Sequence, residues 1–189
     1  TVGPMQAARM FARSLDEEGK RVQCHRVTTE LFGSLGATGA GHGSPKAIIL
    51  GLQGEAPDTV DIEGIEARIS EVREGGEILL MGTHSISFSY RDDLIMHRTE
   101  TLPFHSNGMR FTAYDDQGRP LHTRVYYSVG GGFVVDESAS EGDVIVDDPT
   151  PVRYPFSSAE ELLAQCREYG LSISSLMLAN EQAWRTEAE

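Results

Sequence analysis

Apolar positions recur at helical spacing at the start of the chain, where Met5, Ala8, Phe11, Ala12 and Leu15 predict a helix. Pro4 fits the first helical position and Gly19 a stop. Val22, Cys24, Val27, Leu31 and Phe32, with the β-branched pair Thr28 and Thr29, then predict a strand over 22–32. A glycine-rich turn follows. Beyond it Ser44 reads as an N-cap and Pro45 as the first helical residue of "KAIILGL", which is apolar nearly all round and so predicts a short buried helix.

Ile65, Ile69 and Val72 mark another helix, stopped by Gly75 and Gly76, and "EILLMG" and "HSISFSY" read as strands. The clearest hairpin has Met109, Phe111 and Ala113 alternating with Arg110, Thr112 and Tyr114. After the "DDQG" turn, Leu121, Thr123, Val125 and Tyr127 alternate with His122, Arg124, Tyr126 and Ser128. Residues 138–155 are acidic and proline-bearing and read as a connection. Two overlapping capping boxes, Ser157 with Glu160 and Ser158 with Glu161, open a helix. A last helix is expected to bury Ile173, Leu176, Met177, Ala183 and Trp184 on one face. Helices and strands in no regular βαβ alternation predict an α+β fold, a mixed and largely antiparallel sheet with helices on one face. The expected division is a domain over 1–155 and a helical connection over 156–189. Neither end carries a start or stop signal, so the chain reads as a piece of a longer polypeptide.

Composition narrows the chemistry. The formal net charge of −13 argues against nucleic acid as a partner, because phosphate binding needs clustered Lys and Arg. No apolar run approaches the roughly 20 residues of a membrane span. The two cysteines, Cys24 and Cys166, are far apart, which favours the cytoplasm, and they are too few for an iron–sulfur cluster, which normally takes four. Only Lys20 and Lys46 could form a Schiff base. One lies in a polar run and the other opens a helix, so pyridoxal phosphate is set aside. No metal spacing and no Gly-x-Ser-x-Gly elbow occurs.

Four glycine-marked places remain as candidate chemistry. Thr1–Pro4 and Gly41–Pro45 run directly into helices, whose N-termini attract carboxylates and phosphates. "SVGGG" at 128–132 ends a strand, and "LPFHSNGMR" places His105 and Asn107 on a turn closed by Gly108. Each glycine run serves either turn geometry or close approach of the backbone to another molecule. His105 and Asn107 are either turn formers or ligand-binding groups. His42, between Gly41 and Gly43, is an imidazole with no neighbouring side chain to pack it. The other histidines, His25, His84, His97 and His122, read as surface or satisfied core residues.

Five segments in order, "TVGPMQAARMF", "ELFGSLGATGAGHGSPKAIILGL", "LPFHSNGMRFTAYD", "RVYYSVGGGFVVDE" and "YPFSSAEELLAQCREYGLSISSLMLANE", resemble the beta domain of the iron–sulfur type L-serine dehydratases. The resemblance covers almost the whole chain. It implies a pyridoxal-independent lyase that turns L-serine into pyruvate and ammonia, a four-iron four-sulfur cluster held by cysteines of a separate catalytic alpha domain or subunit, and a homo-oligomer. It places His42 at that active site as acid/base or substrate-positioning group, with Ser128 near it and Gly41, Gly43, Gly130 and Gly131 against the substrate. The beta domain is also similar to the allosteric substrate-binding domain of some phosphoglycerate dehydrogenases, which implies a second serine site at His105, Asn107 and Gly108. The alternative on the residues alone is a stand-alone amino-acid-binding module or an interaction domain with His42 in a structural role.

Overall fold

The computed structural model of the chain describes residues 1–137 and 150–184. Two compact units divide it, Thr1–Val144 and Ile145–Glu189.

The first unit opens with α1 (Val2–Glu17), whose Met5, Ala8, Phe11, Ala12 and Leu15 are all buried as their spacing predicts. Pro4 stands third in this helix rather than first. That position still lies among the leading residues whose N–H groups have no helical partner, so the missing donor costs nothing. Arg21–Gln23 form a single 3₁₀ turn, and β1 begins only at Arg26 (Arg26–Leu31). The predicted strand is shorter because Cys24 N–H donates to the Arg21 carbonyl, and Val22 consequently points to solvent. Cys24 itself is buried, which pushes its thiol up to about 11.

The glycine-rich segment is not wholly a turn. Its first half folds as α2 (Gly33–Thr38), with the Thr38 hydroxyl donating back to the Ser34 carbonyl at 2.8 Å. The turn proper is confined to Gly39–Gly43. Next come α3 (Ser44–Leu52), buried nearly all round, and α4 (Ile65–Gly75), which turns Ile69 and Val72 inward. Strands β2 (Glu77–Leu80), β3 (His84–Ser87), β4 (Leu94–Met96), β5 (Gly108–Tyr114), β6 (Pro120–Gly130) and β7 (Phe133–Asp136) complete the unit.

These strands form one seven-stranded sheet in the order β2-β3-β1-β5-β6-β7, with β4 pairing β1 as well. Only the β1–β3 and β1–β4 pairings are parallel, and every other pairing is antiparallel. The fold is therefore α+β with a mixed, mostly antiparallel open sheet. Register puts Val27 opposite Ala113, Leu31 opposite Met109, and Met109 opposite Tyr126, so these side chains share one face. That face joins α1, α3 and α4 in a single core, where Phe11 stacks on Phe111 at 5.3 Å.

The second unit contains α5 (Ala159–Tyr169) and α6 (Ile173–Glu181). Ser158 caps α5 by accepting the Glu161 N–H, while the Glu161 carboxylate reaches back to the N–H and hydroxyl of Ser157. Leu176 and Asn180 form the buried face of α6, and Asn180 exchanges two 2.8 Å hydrogen bonds with the main chain of Tyr154. The predicted apolar face is therefore rotated: Leu176 is buried, but Ile173, Met177, Ala183 and Trp184 are exposed. Two helices this short have one line of contact to bury, and the Asn180 bonds fix which line it is.

Candidate functional site

The first turn of α1 is where the glycine-marked segments meet. Thr1 occupies the N-cap position, but its hydroxyl makes no cap bond. It donates instead to the main-chain carbonyl of His42, tying the start of the chain to the Gly39–Gly43 turn. That turn is held by Ser44 N–H on the Gly39 carbonyl at 2.9 Å and His42 N–H on the same carbonyl at 3.2 Å. Gly43 caps α3 with φ of 75°, a left-handed conformation that a residue with a Cβ adopts only at a cost. The expected cap, Ser44, is instead the first helical residue, because Gly43 already takes the half-helical position; its hydroxyl is buried without a partner. Pro45 is accordingly second in α3. The His42 ring is exposed and makes no hydrogen bond among the described residues, so its position is set by backbone alone.

Gly3, one turn position further on, faces Ser128. A Cβ there would stand 2.2 Å from the Ser128 hydroxyl, so only glycine lets α1 approach β6 this closely. Gly130, Gly131 and Gly132 all have positive φ and form the β6–β7 turn, with Gly132 against the side chain of Val2. His42 and Ser128 thus touch α1 within three residues of each other.

The "HSNG" segment reaches the same place through hydrogen bonds. Ser128 N–H donates to the Asn107 carbonyl at 3.0 Å, and the Asn107 side-chain amide donates to the Ser128 carbonyl at 3.2 Å. The Asn107 N–H donates to His105 Nδ1 at 3.1 Å, so the neutral ring carries its proton on Nε2. Gly108 is buried against Leu102 and starts β5. The two residue groups expected at separate sites, His42 with Ser128 and His105 with Asn107, are thereby one hydrogen-bonded step apart.

Two features beside them went unread in the sequence. The Thr1 hydroxyl acts as a tether, a contact that the helix-start pattern around it does not show. Phe104 is 65% exposed and tilts over Tyr127 at 4.9 Å, an apolar side chain left open next to His105. Burial and the Glu137 carboxylate, which accepts the Tyr127 hydroxyl at 2.7 Å, push that phenol up to about 12. A bulky aromatic directly before "HSNG" was the available signal.

The remaining histidines have structural occupations or lie on the surface. His84 Nε2 lies 2.8 Å from the Cys24 carbonyl, His97 pairs with Glu30 and stacks on Phe32, and His122 is buried on Phe11; His25 is exposed. Both lysines are ion-paired, Lys20 with Glu18 and Lys46 with Glu66. Among the described residues, no group of three or more His, Cys, Asp or Glu could hold a metal ion, and no helix is long and apolar enough to cross a membrane. What the arrangement offers chemically is an exposed imidazole, a hydroxyl and the unpaired N–H groups of a helix start, a set suited to a carboxylate and a proton transfer.

Comparison with known proteins identifies a family. The family model described as serine dehydratase beta chain matches residues 1–139. An L-serine dehydratase of Streptomyces coelicolor is 55% identical over all of this chain and 42% of its own length. One from Mycobacterium bovis is 43% identical over all of this chain and 40% of its own length, and L-serine dehydratase 1 of Escherichia coli is 42% identical over all of this chain and 41% of its own. The chain spans about two-fifths of the length of the curated relatives it matches. With more than half of its residues matched by the family model, this chain belongs to the serine dehydratase beta chain family.

Proposed function

We propose that this chain is the part of an L-serine dehydratase that completes an active site held on a catalytic domain or subunit, within a homo-oligomeric enzyme that converts L-serine to pyruvate and ammonia. The observation that carries this reading is the convergence on the first turn of α1, where a backbone contact holds the exposed His42 ring and leaves it available, and the Ser128 side chain lies against Gly3. Loss of water from serine requires removal of the Cα proton, and an imidazole, which can accept or give up a proton, suits that transfer or the positioning of the substrate for it. The unpaired N–H groups at the start of α1 suit the substrate carboxylate.

A four-iron four-sulfur cluster takes about four thiolates. The two cysteines present, Cys24 buried in the first unit and Cys166 in the second, do not fit that ligand set. Its ligands would belong to the catalytic part. His105 and Asn107 form a second, regulatory serine site. The two hydrogen bonds between Asn107 and Ser128 support a coupling from that site to the active-site edge.

The test is His42→Ala in the enzyme with its catalytic part present. The expected result is a fall in kcat of about 100-fold, the lower end for a general acid–base group. A change under about threefold overturns the catalytic reading.

A further inference from the structure

A groove of about 410 Å³ runs between the outer side of α1 and the β6–β7 turn, on the side of α1 away from the core. Its size falls in the roughly 300–1,000 Å³ range of small-molecule sites. Val2, Gln6, Arg9, Met10 and Arg13 line one wall, a second stripe at helical spacing that the core does not use, and Phe133 lines the other. Val2, Met10 and Phe133 are each more than a third exposed, so three large apolar side chains face the same open space.

Two arginines stand in the helical wall of the groove, and neither Arg9 nor Arg13 has an ion pair among the described residues. They stand four residues apart on one helix, an arrangement in which like charges repel. Arg9 Nε is shut off from solvent and has no hydrogen-bond partner. A buried donor left unpaired is costly, and a guanidinium satisfies that cost best with a carboxylate, which it grips through two N–H groups at once.

We propose that this groove binds a small organic carboxylate with an apolar body, the carboxylate on Arg9 and Arg13 and the body against Met10, Val2 and Phe133. The groove adjoins the candidate site, sharing Val2 and the Gly131–Gly132 turn with it, but it is not lined by His42, Ser128 or His105, and the proposal does not rest on their proposed roles.

The test is calorimetric titration of the enzyme, catalytic part included, with phenylacetate and with its neutral counterpart phenylacetamide. Phenylacetate is expected to bind, and phenylacetamide to bind at least about tenfold more weakly, since it lacks the charge. Arg9→Gln with Arg13→Gln should weaken phenylacetate by at least about tenfold, Arg9→Lys by less because it keeps the charge, and Arg98→Gln, an exposed arginine elsewhere, should leave it unchanged. Saturating L-serine should shift the affinity by less than about twofold, because a coupled or shared site shifts it more. The proposal is overturned by no binding at about 10 mM, by equal binding of acid and amide, by binding indifferent to the arginine pair, by inorganic phosphate displacing phenylacetate at equal concentration, or by competition with serine. Because the readout is binding, it stands or falls independently of the activity of His42→Ala.

Discussion

Along its middle and C-terminal half, α1 is held by side chains. Phe11 lies between Phe111 and His122 with ring centroids 5.3 and 5.6 Å away, and Ala12 and Leu15 are fully buried beside it. At its N-terminus the same helix is held by main chain and by the lack of side chains: a hydroxyl on the His42 carbonyl, Gly3 against Ser128, and Val2 against Gly132. The first kind of contact uses up the side chains that make it. The second fixes the geometry while leaving the His42 ring free, as its proposed role requires. One helix therefore anchors the fold at one end and aligns three glycine segments at the other.

The largest effect should come from breaking the packed end. Phe11→Ala removes a fully buried ring from the stack and should cost about 3–5 kcal/mol in urea unfolding, with an unchanged m-value. A loss below about 1.5 kcal/mol would mean that α1 is not held chiefly by this packing, and the contrast between its ends would fail.

At the glycine end the effect should be smaller and coupled. Gly3→Ala places a Cβ 2.2 Å from the Ser128 hydroxyl and 2.8 Å from its Cβ, so β6 or α1 must shift, at about 1–3 kcal/mol. Ser128→Gly removes both obstructing atoms, and a double-mutant cycle should return at least about 0.5 kcal/mol of favourable coupling. Additive losses would show that the two residues do not touch, and that the meeting of segments at α1 is looser than drawn.

How legible each end was follows from the range of its contacts. The packed face of α1 and the β5–β6 hairpin come from periodic local patterns and the buried α3 from a continuous apolar run, and each lies where its pattern put it. The pattern of β6 did not reveal which face is inside, because bulky residues occupy both. His122 and Tyr126 are buried, and Leu121 and Val125 are only half-buried. Strand β4 is three residues long, too short for any period, and depends on the parallel pairing of Leu94–Met96 with Thr29–Leu31. At the site, glycine runs marked all four segments separately. Their meeting was hidden, since Thr1 binds His42 across 41 residues and Asn107 binds Ser128 across 21. Such contacts leave no trace in local spacing. The Arg9 and Arg13 stripe was hidden for the opposite reason, because charges on the outer side of a helix look like an ordinary solvated face.

The smallest expected effect separates the two ends by pH. Arg124 Nε donates to His122 Nε2 at 3.3 Å, so the neutral ring keeps its proton on Nδ1, 3.4 Å from the Glu18 carboxylate. Ser14 lies 3.0 Å from the same Nε2. Protonation would set an Nε2–H against the Arg124 donor in a buried place. Burial lowers the His122 pKa from its usual 6.5, Lys20 and Arg124 add to the lowering, and Glu18 and Asp136 oppose it without prevailing. The folded-state pKa being the lower one, the unfolded chain binds the extra proton first as pH falls through about 6.5. Stability is therefore constant above that value on this account, declines below it, and levels off once the folded ring is charged too. The urea midpoint should fall as pH drops below about 6.5, and His122→Gln, which keeps a polar side chain beside Ser14, should flatten that fall. Gly3→Ala, at the other end of α1, changes no titrating group and should leave the slope as it is. An equal flattening by both substitutions would mean that the slope does not come from burial of the ring on Phe11, and that the packed end of the helix carries no titrating group of its own.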